Sequence, residues 1–408
     1  MSAPAAPAAA ARSGATDAAA TPRSLADRAR LVADVAAEHA ERTDQEAEFP
    51  VQALDAMRES GLLGLLVPVE YGGLGGSLGD LLDASLRIGR ADMSAAMIFA
   101  MHCQQAAAVV KHGSPDLREE LLPDLAAGRV YLASVTTEAG KGGHLLSAES
   151  ELTSDSDSDQ GLLAIDRFAP IVTGGAYADG FLITLRSPGA TSPTQVSLVY
   201  ARRDQLRITG SGDWQPMGMR ASHSIALQLE GKVPGHQVVG EHGKFSRIAT
   251  EVFGPLAHLG WSACWLGTAS GALSRVLGLL RSPAGRKRFD LSSELLLTRL
   301  SSARQRLDTV HALLCHTEEV VSSSGDLSTP RNQLLLNALK ITAAEQCHAA
   351  VNDLVDAVGL RHGYLKDSPT GLERALRDLR SAALNYSNDR LHLADGRLAL
   401  LDPEVRLV

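Results

Sequence analysis

The chain has 408 residues, 45% hydrophobic and 21% charged, with a formal net charge of −8. That length allows two or three packed domains, and that balance is typical of a water-soluble globular chain. An acidic chain with only 4% aromatics offers neither a basic face for a phosphate backbone nor stacking platforms for bases, which excludes nucleic acid as the expected partner.

Residues 1–23 are rich in Ala, Pro, Ser and Thr, and the opening MSAPAAPAAAARSG is broken by prolines. It lacks the basic start and unbroken apolar core of a secretion signal, so a disordered tail is expected. No later stretch approaches the roughly 20 consecutive apolar residues of a membrane span. The expectation is a cytoplasmic protein with no membrane partner.

From residue 24 to 130 the apolar spacing is helical, with Leu25, Ala29, Val32 and Ala36 recurring at threes and fours. Pro50 opens a short helix with Val51, Leu54 and Met57 on one face, and Gly61 lies just past its end. Tyr71 to Gly79 is a glycine-dense loop, and a longer helix runs from about Ser94 to Lys111, closed by Gly113. From 131 to 242 the pattern changes to short apolar runs, among them Tyr131–Val135, Phe181–Leu185, Val196–Tyr200 and Ile225–Leu229, separated by Gly, Pro, Asp and Ser. Residues 154–160, SDSDSDQ, read as a solvated acidic loop inside this β stretch. From 243 to 408 the spacing is helical again. Glu251–Arg281 is apolar nearly all round and is expected to be buried. Ser292–Val321, Arg331–Val358 and Leu372–Leu393 complete a set of four long helices. The predicted fold is α+β: an N-terminal α-helical domain (24–130), a central β-barrel or sandwich domain (131–242) and a C-terminal four-helix bundle (243–408).

Chemistry built from side chains alone is hard to find. Gly140-Lys141 and Gly243-Lys244 lack the Ser or Thr of a phosphate loop, no GxGxxG joins a strand to a helix, and the serine in Gly267–Gly271 is one place late for a nucleophile elbow. His311 and His316 lie five apart and do not share a helix face, so no metal site is expected. Cys103, Cys264, Cys315 and Cys347 form no CxxC pair and fall in helical segments, which suggests small buried hydrophobes. This scarcity favours an enzyme that borrows its chemistry from a cofactor.

Four separated segments, read in order, resemble the acyl-CoA dehydrogenase family. They are Pro68-Val-Glu-Tyr-Gly-Gly-Leu-Gly75; Val135-Thr-Thr-Glu-Ala-Gly-Lys-Gly-Gly-His144; Gly218-Met-Arg-Ala-Ser-His-Ser224 followed by Val233-Pro234 and Gly240; and Arg377-Asp378. The resemblance spans about residues 24–395 and implies an FAD-dependent oxidoreductase acting on CH–CH groups of an acyl thioester, either acyl-CoA or carrier-bound. It assigns Val135, Thr137, Gly142, Gly143, Ile171 and Thr173 to the flavin, with Ile171 where the family has an aromatic. The strand ends would satisfy the N–H and C=O groups along the ring edge, and the glycines would let backbone approach closely. Arg286 and Phe289 match the family's R-x-x-F, whose arginine reaches the diphosphate of a neighbouring subunit's FAD. Gly359 and Gly363, with His362 and Tyr364, stand at the adenine-side turn with one residue extra. His144, Arg220 and Ser222 fall where substrate contacts are expected. A cofactor shared between subunits implies a homo-oligomer, dimer or tetramer.

The pattern breaks at the base. In the family reaction a carboxylate takes the α-proton of the thioester while the β-hydrogen leaves as hydride. Counting from Asp378 at the family's spacing, the base position is Tyr386, and the alternative position on the long buried helix is Ala257, beside His258. A tyrosine, with a pKa of about 10, is a poor base at neutral pH. Candidate substitutes are His258, Asp389 and Glu251. Three readings follow: a dehydrogenase with a non-standard base; a flavin-dependent monooxygenase or N-hydroxylase that needs no α-proton base and takes reduced flavin and oxygen; and a non-catalytic scaffold that binds flavin or an acyl group. The electron acceptor or flavin reductase is left open by all three.

Overall fold

A computed structural model describes residues 24–140, 144–154 and 161–401. The tail expected over 1–23, nearly all of the acidic loop, and Gly142 and Gly143 lie outside the described residues. The first layer is helical: α1 (Leu25–Glu46), α2 (Val51–Glu59), α3 (Leu78–Gly89), α4 (Met93–His112) and α5 (Pro115–Ala126). Short side chains start these helices. Ser24, Asp92 and Ser114 each accept a backbone N–H of the first turn, and Ser77 and Asp80 do so reciprocally as a capping box.

The middle layer is two four-stranded sheets. Its strands are β1 (Leu132–Val135), β2 (Thr153–Ser154), β3 (Leu162–Val172), β4 (Gly180–Arg186), β5 (Val196–Arg202), β6 (Leu206–Ser211), β7 (Ile225–Pro234) and β8 (Val238–Val239). One sheet runs β1-β4-β5-β8, with β1 parallel to β4 and the rest antiparallel; the other runs β2-β3-β7-β6 and is antiparallel throughout. The sandwich alternative therefore holds, and the described strands do not close a barrel. Along β3 the inward positions Leu163, Ile165 and Ala169 are buried, and so is Arg167. A charge on an inward strand position is rare unless it is paired, and its partner belongs to the site described below.

The last layer is helical: α6 (Phe245–Ile248), a single π turn (Ala249–Phe253), α7 (Gly254–Arg281), α8 (Pro283–Arg288), α9 (Glu294–Ser323), α10 (Pro330–Gly359), α11 (Leu372–Arg380) and α12 (Asn388–Ala399). The centre is α7, packed against α3, α4, α9 and α10. It crosses α3 closely: a Cβ at Gly267 would sit 2.3 Å from Leu86 O, and one at Gly89 would sit 2.6 Å from Cys264 O. Only glycine allows that backbone contact.

Three expectations need correction. The helix expected over Leu372–Leu393 is two helices, α11 and α12, because residues 381–387 turn out of it. Lys340 Nζ donates to the carbonyls of Ala382 and Tyr386 at 3.0 and 2.8 Å, and Tyr386 has φ of 54°. Met93–His112 and the run Phe245–Arg281 are long and apolar enough by composition to cross a membrane, contrary to the sequence expectation; 83% and 67% of their most apolar windows are buried in the protein itself. Cys103, Cys264 and Cys347 are buried free thiols as expected, whereas Cys315 is exposed beside His311.

Candidate active site

The strand-end residues come together through hydrogen bonds. Thr137 Oγ1 donates to Ile171 O at 2.7 Å, joining the chain beyond β1 to the end of β3. Val135 is buried and its carbonyl accepts from Thr184 Oγ1 at 3.3 Å. Thr173 Oγ1 shares a hydrogen bond with Ser224 Oγ at 3.0 Å, and Ser224 shares another with Ser222 Oγ at 2.8 Å. Ile171 keeps 50% of its surface exposed at this strand end. His144 is exposed, and Gly140 has a positive φ of 80° with open space around it.

What holds this edge in place was missed from the sequence. Arg167 forms a buried ion pair with Glu138, and its Nη2 donates to Thr137 O at 2.9 Å. Glu138 also accepts the backbone N–H groups of Glu149 and Ser150 at 3.0 and 2.7 Å. Burial pulls the Arg167 guanidinium below its ordinary pKa, and the Glu138 charge opposes the shift. The available signal was a Glu inside the β1 motif and an Arg at an inward position of β3.

The second group surrounds Tyr386. Its ring meets His258 edge-on at a centroid distance of 6.0 Å and Trp261 at 6.4 Å. Burial pushes the phenol above its usual pKa although the residue keeps 39% of its surface exposed. His258 is buried and its pKa is lowered to about 4, first by burial and then by the Lys340 charge. It is therefore neutral at pH 7, and His258 Nδ1 and Trp261 Nε1 have no hydrogen-bond partner among the described residues. Lys340 is buried under this loop, with its third donor on Asn388 Oδ1 at 2.7 Å. Burial lowers its pKa to about 7. Sequence spacing gave no hint of Lys340, which lies 46 residues away from the Tyr386 carbonyl it holds.

Other expected residues have different settings. Arg220 donates to the carbonyls of Asp44, Pro216 and Gln45 at 2.6, 3.1 and 3.1 Å, so its fork ties α1 to the β layer. The Arg377-Asp378 pair is likewise a junction. Arg377 is bidentate to Asp44 at 3.1 and 2.6 Å, and Asp378 Oδ1 accepts Met219 N–H at 2.7 Å. Glu251 is held by Arg247 and Lys111, which bring its pKa down to about 2. Asp389 is exposed in the first turn of α12, and Ala257 is buried on α7. Arg286 uses Nε on Arg281 O at 3.1 Å and is otherwise exposed. Phe289 lies 5.8 Å from the His362 ring. Gly359 has a φ of 72° with no atom near its open side, and Gly363 packs against Val355. No hydrogen bond or ion pair among the described residues joins Arg286 to the strand-end threonines. The described residues also contain no cluster of three metal-ligating side chains.

An α–β–α chain with hydrogen-bonded threonines at adjoining strand ends, a junction of three layers and a group of aromatic rings on a central helix defines a class, the acyl-CoA dehydrogenase fold. The N-terminal domain of acyl-CoA dehydrogenases matches residues 21–129, and the C-terminal domain matches residues 259–389. The chain is 26% identical to the mitochondrial isobutyryl-CoA dehydrogenase of Dictyostelium discoideum over 84% of its own length and 79% of that protein. It is 26% identical to a dibenzothiophene monooxygenase of Rhodococcus erythropolis over 81% and 82%. Its fold is shared with FMN-bound TdsC from Paenibacillus sp. A11-2, at a TM-score of 0.82 and 22% identity, covering 92% of this chain and 97% of that one. The chain belongs to the acyl-CoA dehydrogenase superfamily, a family of flavoenzymes that are oxidoreductases.

Proposed function

We propose that this protein is a flavin-dependent monooxygenase, an oxidoreductase that works on O2 with reduced flavin instead of desaturating an acyl thioester. The observation that carries the reading is the chemistry around Tyr386. The phenol has its pKa raised by burial, and neutral His258, at about 4, is the nearest titratable ring. Neither is matched to removing a weakly acidic carbon-bound proton at neutral pH. Glu251, at about 2 and committed to two cations, is no better suited.

The residues present fit a flavin. Thr137 and Thr173 each keep hydroxyl capacity at a partly exposed edge, since a hydroxyl both donates and accepts. Exposed Ile171 offers an apolar face beside them. Arg286 has free guanidinium donors that would suit a diphosphate, and Phe289, Gly359 and Gly363 would hold an adenine, which favours FAD. Bound flavin supplies the electrons that activate O2. The chain's own part is to position and to keep charge away. His258 Nδ1 and Trp261 Nε1 are buried without partners among the described residues beside the Tyr386 ring, where a neutral imidazole can exchange a hydrogen bond with an oxygen-bearing group without bringing a charge. On this reading His144 and Ser222 border the substrate, and Arg220 orders that border by holding the 216–224 segment to α1.

A second reading, dehydrogenation of an acyl-CoA or carrier-bound acyl group with a non-standard base, draws on the similarity to isobutyryl-CoA dehydrogenase. Two measurements separate them. Oxygen uptake that requires both reduced flavin and an added substrate supports the monooxygenase. Anaerobic bleaching of the flavin by an acyl thioester would overturn it in favour of the dehydrogenase. A colourless protein that takes up neither FAD nor FMN would leave a scaffold. Sharing of Arg286 across subunits predicts a dimer or tetramer by light scattering.

A further inference from the structure

A cavity of about 550 Å³ shares no lining residue with the strand-end threonines, Tyr386 or Arg286. It lies between α1, the end of α3, the last turns of α7 and the loop leading into α11. Its floor holds three guanidinium groups. Arg275 Nε donates to Thr370 O at 2.6 Å and its Nη1 to Arg90 O at 3.0 Å. Arg90 donates to the hydroxyls of Ser270 and Ser274 at 3.2 and 2.9 Å, and Arg374 Nη2 to Ala91 O at 3.1 Å. Every one of these acceptors is neutral. Buried Asp92 and Asp378 lie close enough to Arg374 to feel its charge, whereas Arg90 and Arg275 have no carboxylate partner among the described residues.

Asp44 and Glu373 also line the cavity but are held by Arg377, so the charges of Arg275 and Arg90 are left uncompensated. Three cations held together by carbonyls and hydroxyls repel one another, and burial followed by the Arg374 and Arg90 charges brings Arg275 down to about 10. Arg275 Nη2 and the remaining fork positions of Arg374 stay without acceptors, the geometry that suits a tetrahedral oxyanion. Lys366, also without an ion pair, is exposed at the mouth. The facing wall is different: Asp34 and Glu41 sit on one side of α1, form no ion pair among the described residues, and present acceptors. The volume lies in the range of small-molecule pockets, roughly 300–1,000 Å³.

We infer that this cavity binds a small phosphorylated ligand bearing hydroxyl groups, its phosphate on Arg275, Arg90 and Arg374 and its hydroxyls on Asp34 and Glu41. The inference does not rest on the flavin reading. The test is calorimetric titration of the full-length, flavin-saturated protein with inorganic phosphate, ribose 5-phosphate and ADP at fixed ionic strength. Ribose 5-phosphate should bind saturably and about tenfold more tightly than inorganic phosphate, the gain expected from one or two hydroxyl contacts. Arg275→Gln and, separately, Lys366→Ala should each weaken it by about tenfold or more. Lys366→Ala lies on the surface and so remains informative if Arg275→Gln does not fold. Asp34→Asn with Glu41→Gln should erase the preference over inorganic phosphate. ADP binding tighter than ribose 5-phosphate would make the source a nucleotide, and weaker binding a sugar phosphate. Because the titrated protein is flavin-saturated, its flavin diphosphate site is already filled, which separates this cavity from that site. No saturable binding of any probe, or binding undiminished in both Arg275→Gln and Lys366→Ala, overturns the inference; equal affinity for ribose 5-phosphate and inorganic phosphate overturns its hydroxyl half.

Discussion

The junction at Gly218 makes a quantitative prediction. A Cβ added there would lie 2.2 Å from Arg377 O, 2.3 Å from Arg377 C and 2.7 Å from Asp378 N, all backbone atoms that cannot rotate away. Reaching an ordinary contact of about 3.4 Å requires the β layer and α11 to part by about 1.2 Å. The Met219 N–H to Asp378 bond, now 2.7 Å, would then be broken, and the Arg377 Nη1 bond to Met217 O, now 2.9 Å, would be stretched beyond reach. Overpacking costs about 1–3 kcal/mol, and losing a charge-assisted hydrogen bond about 1.5–3 kcal/mol more. Gly218→Ala should therefore destabilise the docked layers by roughly 2.5–6 kcal/mol. Urea denaturation followed by tryptophan fluorescence reads this, since Trp214 lies on the β side and Trp261 and Trp265 on α7. Gly278→Ala is the control: that glycine sits in α7 with open space around it, so alanine should stabilise by about 0.5–1 kcal/mol. A Gly218→Ala protein within about 0.5 kcal/mol of wild type would refute the idea that this seam is set by backbone contact.

Other outcomes follow from buried groups. Lys340→Met strands two carbonyls and the Asn388 amide oxygen, and should cost about 2–4 kcal/mol in denaturant titrations at pH 7. The folded pKa of Lys340 is depressed to about 7, so the folded state binds fewer protons than the unfolded one above that pH. Wild-type stability relative to Lys340→Met should accordingly rise as pH goes from 7 towards 10, and fall as pH drops through 7. Asp378 has the opposite sign: burial raises its carboxyl to about 7, so its contribution is full below about pH 4 and is lost as pH climbs through 7. Asp378→Asn keeps an oxygen for Met219 N–H and removes the titration, so its stability relative to wild type should increase between pH 5 and 8 by about 2–3 kcal/mol; a pH-independent difference would contradict this. A disulfide-exchange reagent should titrate one thiol, Cys315, in the native protein and all four after denaturation, because Cys103, Cys264 and Cys347 are buried with their pKa values pushed up.

Local chemistry made much of this protein legible from its residues alone. Helix starts could be read because Ser24, Ser77, Asp92 and Ser114 need only their own first turn to satisfy orphan N–H groups. The β layer followed from short apolar runs between turn residues, and the long α7 from apolar residues on all its faces. The three-layer order was likewise readable from the change in apolar spacing, while Thr137, Ile171 and Thr173 were picked out by resemblance to a known family. Relations between distant segments decided the rest. Helical periodicity continues past Arg380, yet the chain turns there because Lys340 from another helix takes the Ala382 and Tyr386 carbonyls. Arg220 looks from sequence like a site residue and Arg377 like part of a motif; both are committed to α1, 333 positions away in the case of Arg377 and Asp44. The buried Arg167–Glu138 pair and the cluster of Arg90, Arg275 and Arg374 exist only once the layers are packed. Periodicity and capping are set by neighbours three or four residues away, whereas charge pairing and burial depend on which surfaces meet, and only the tertiary structure decides that.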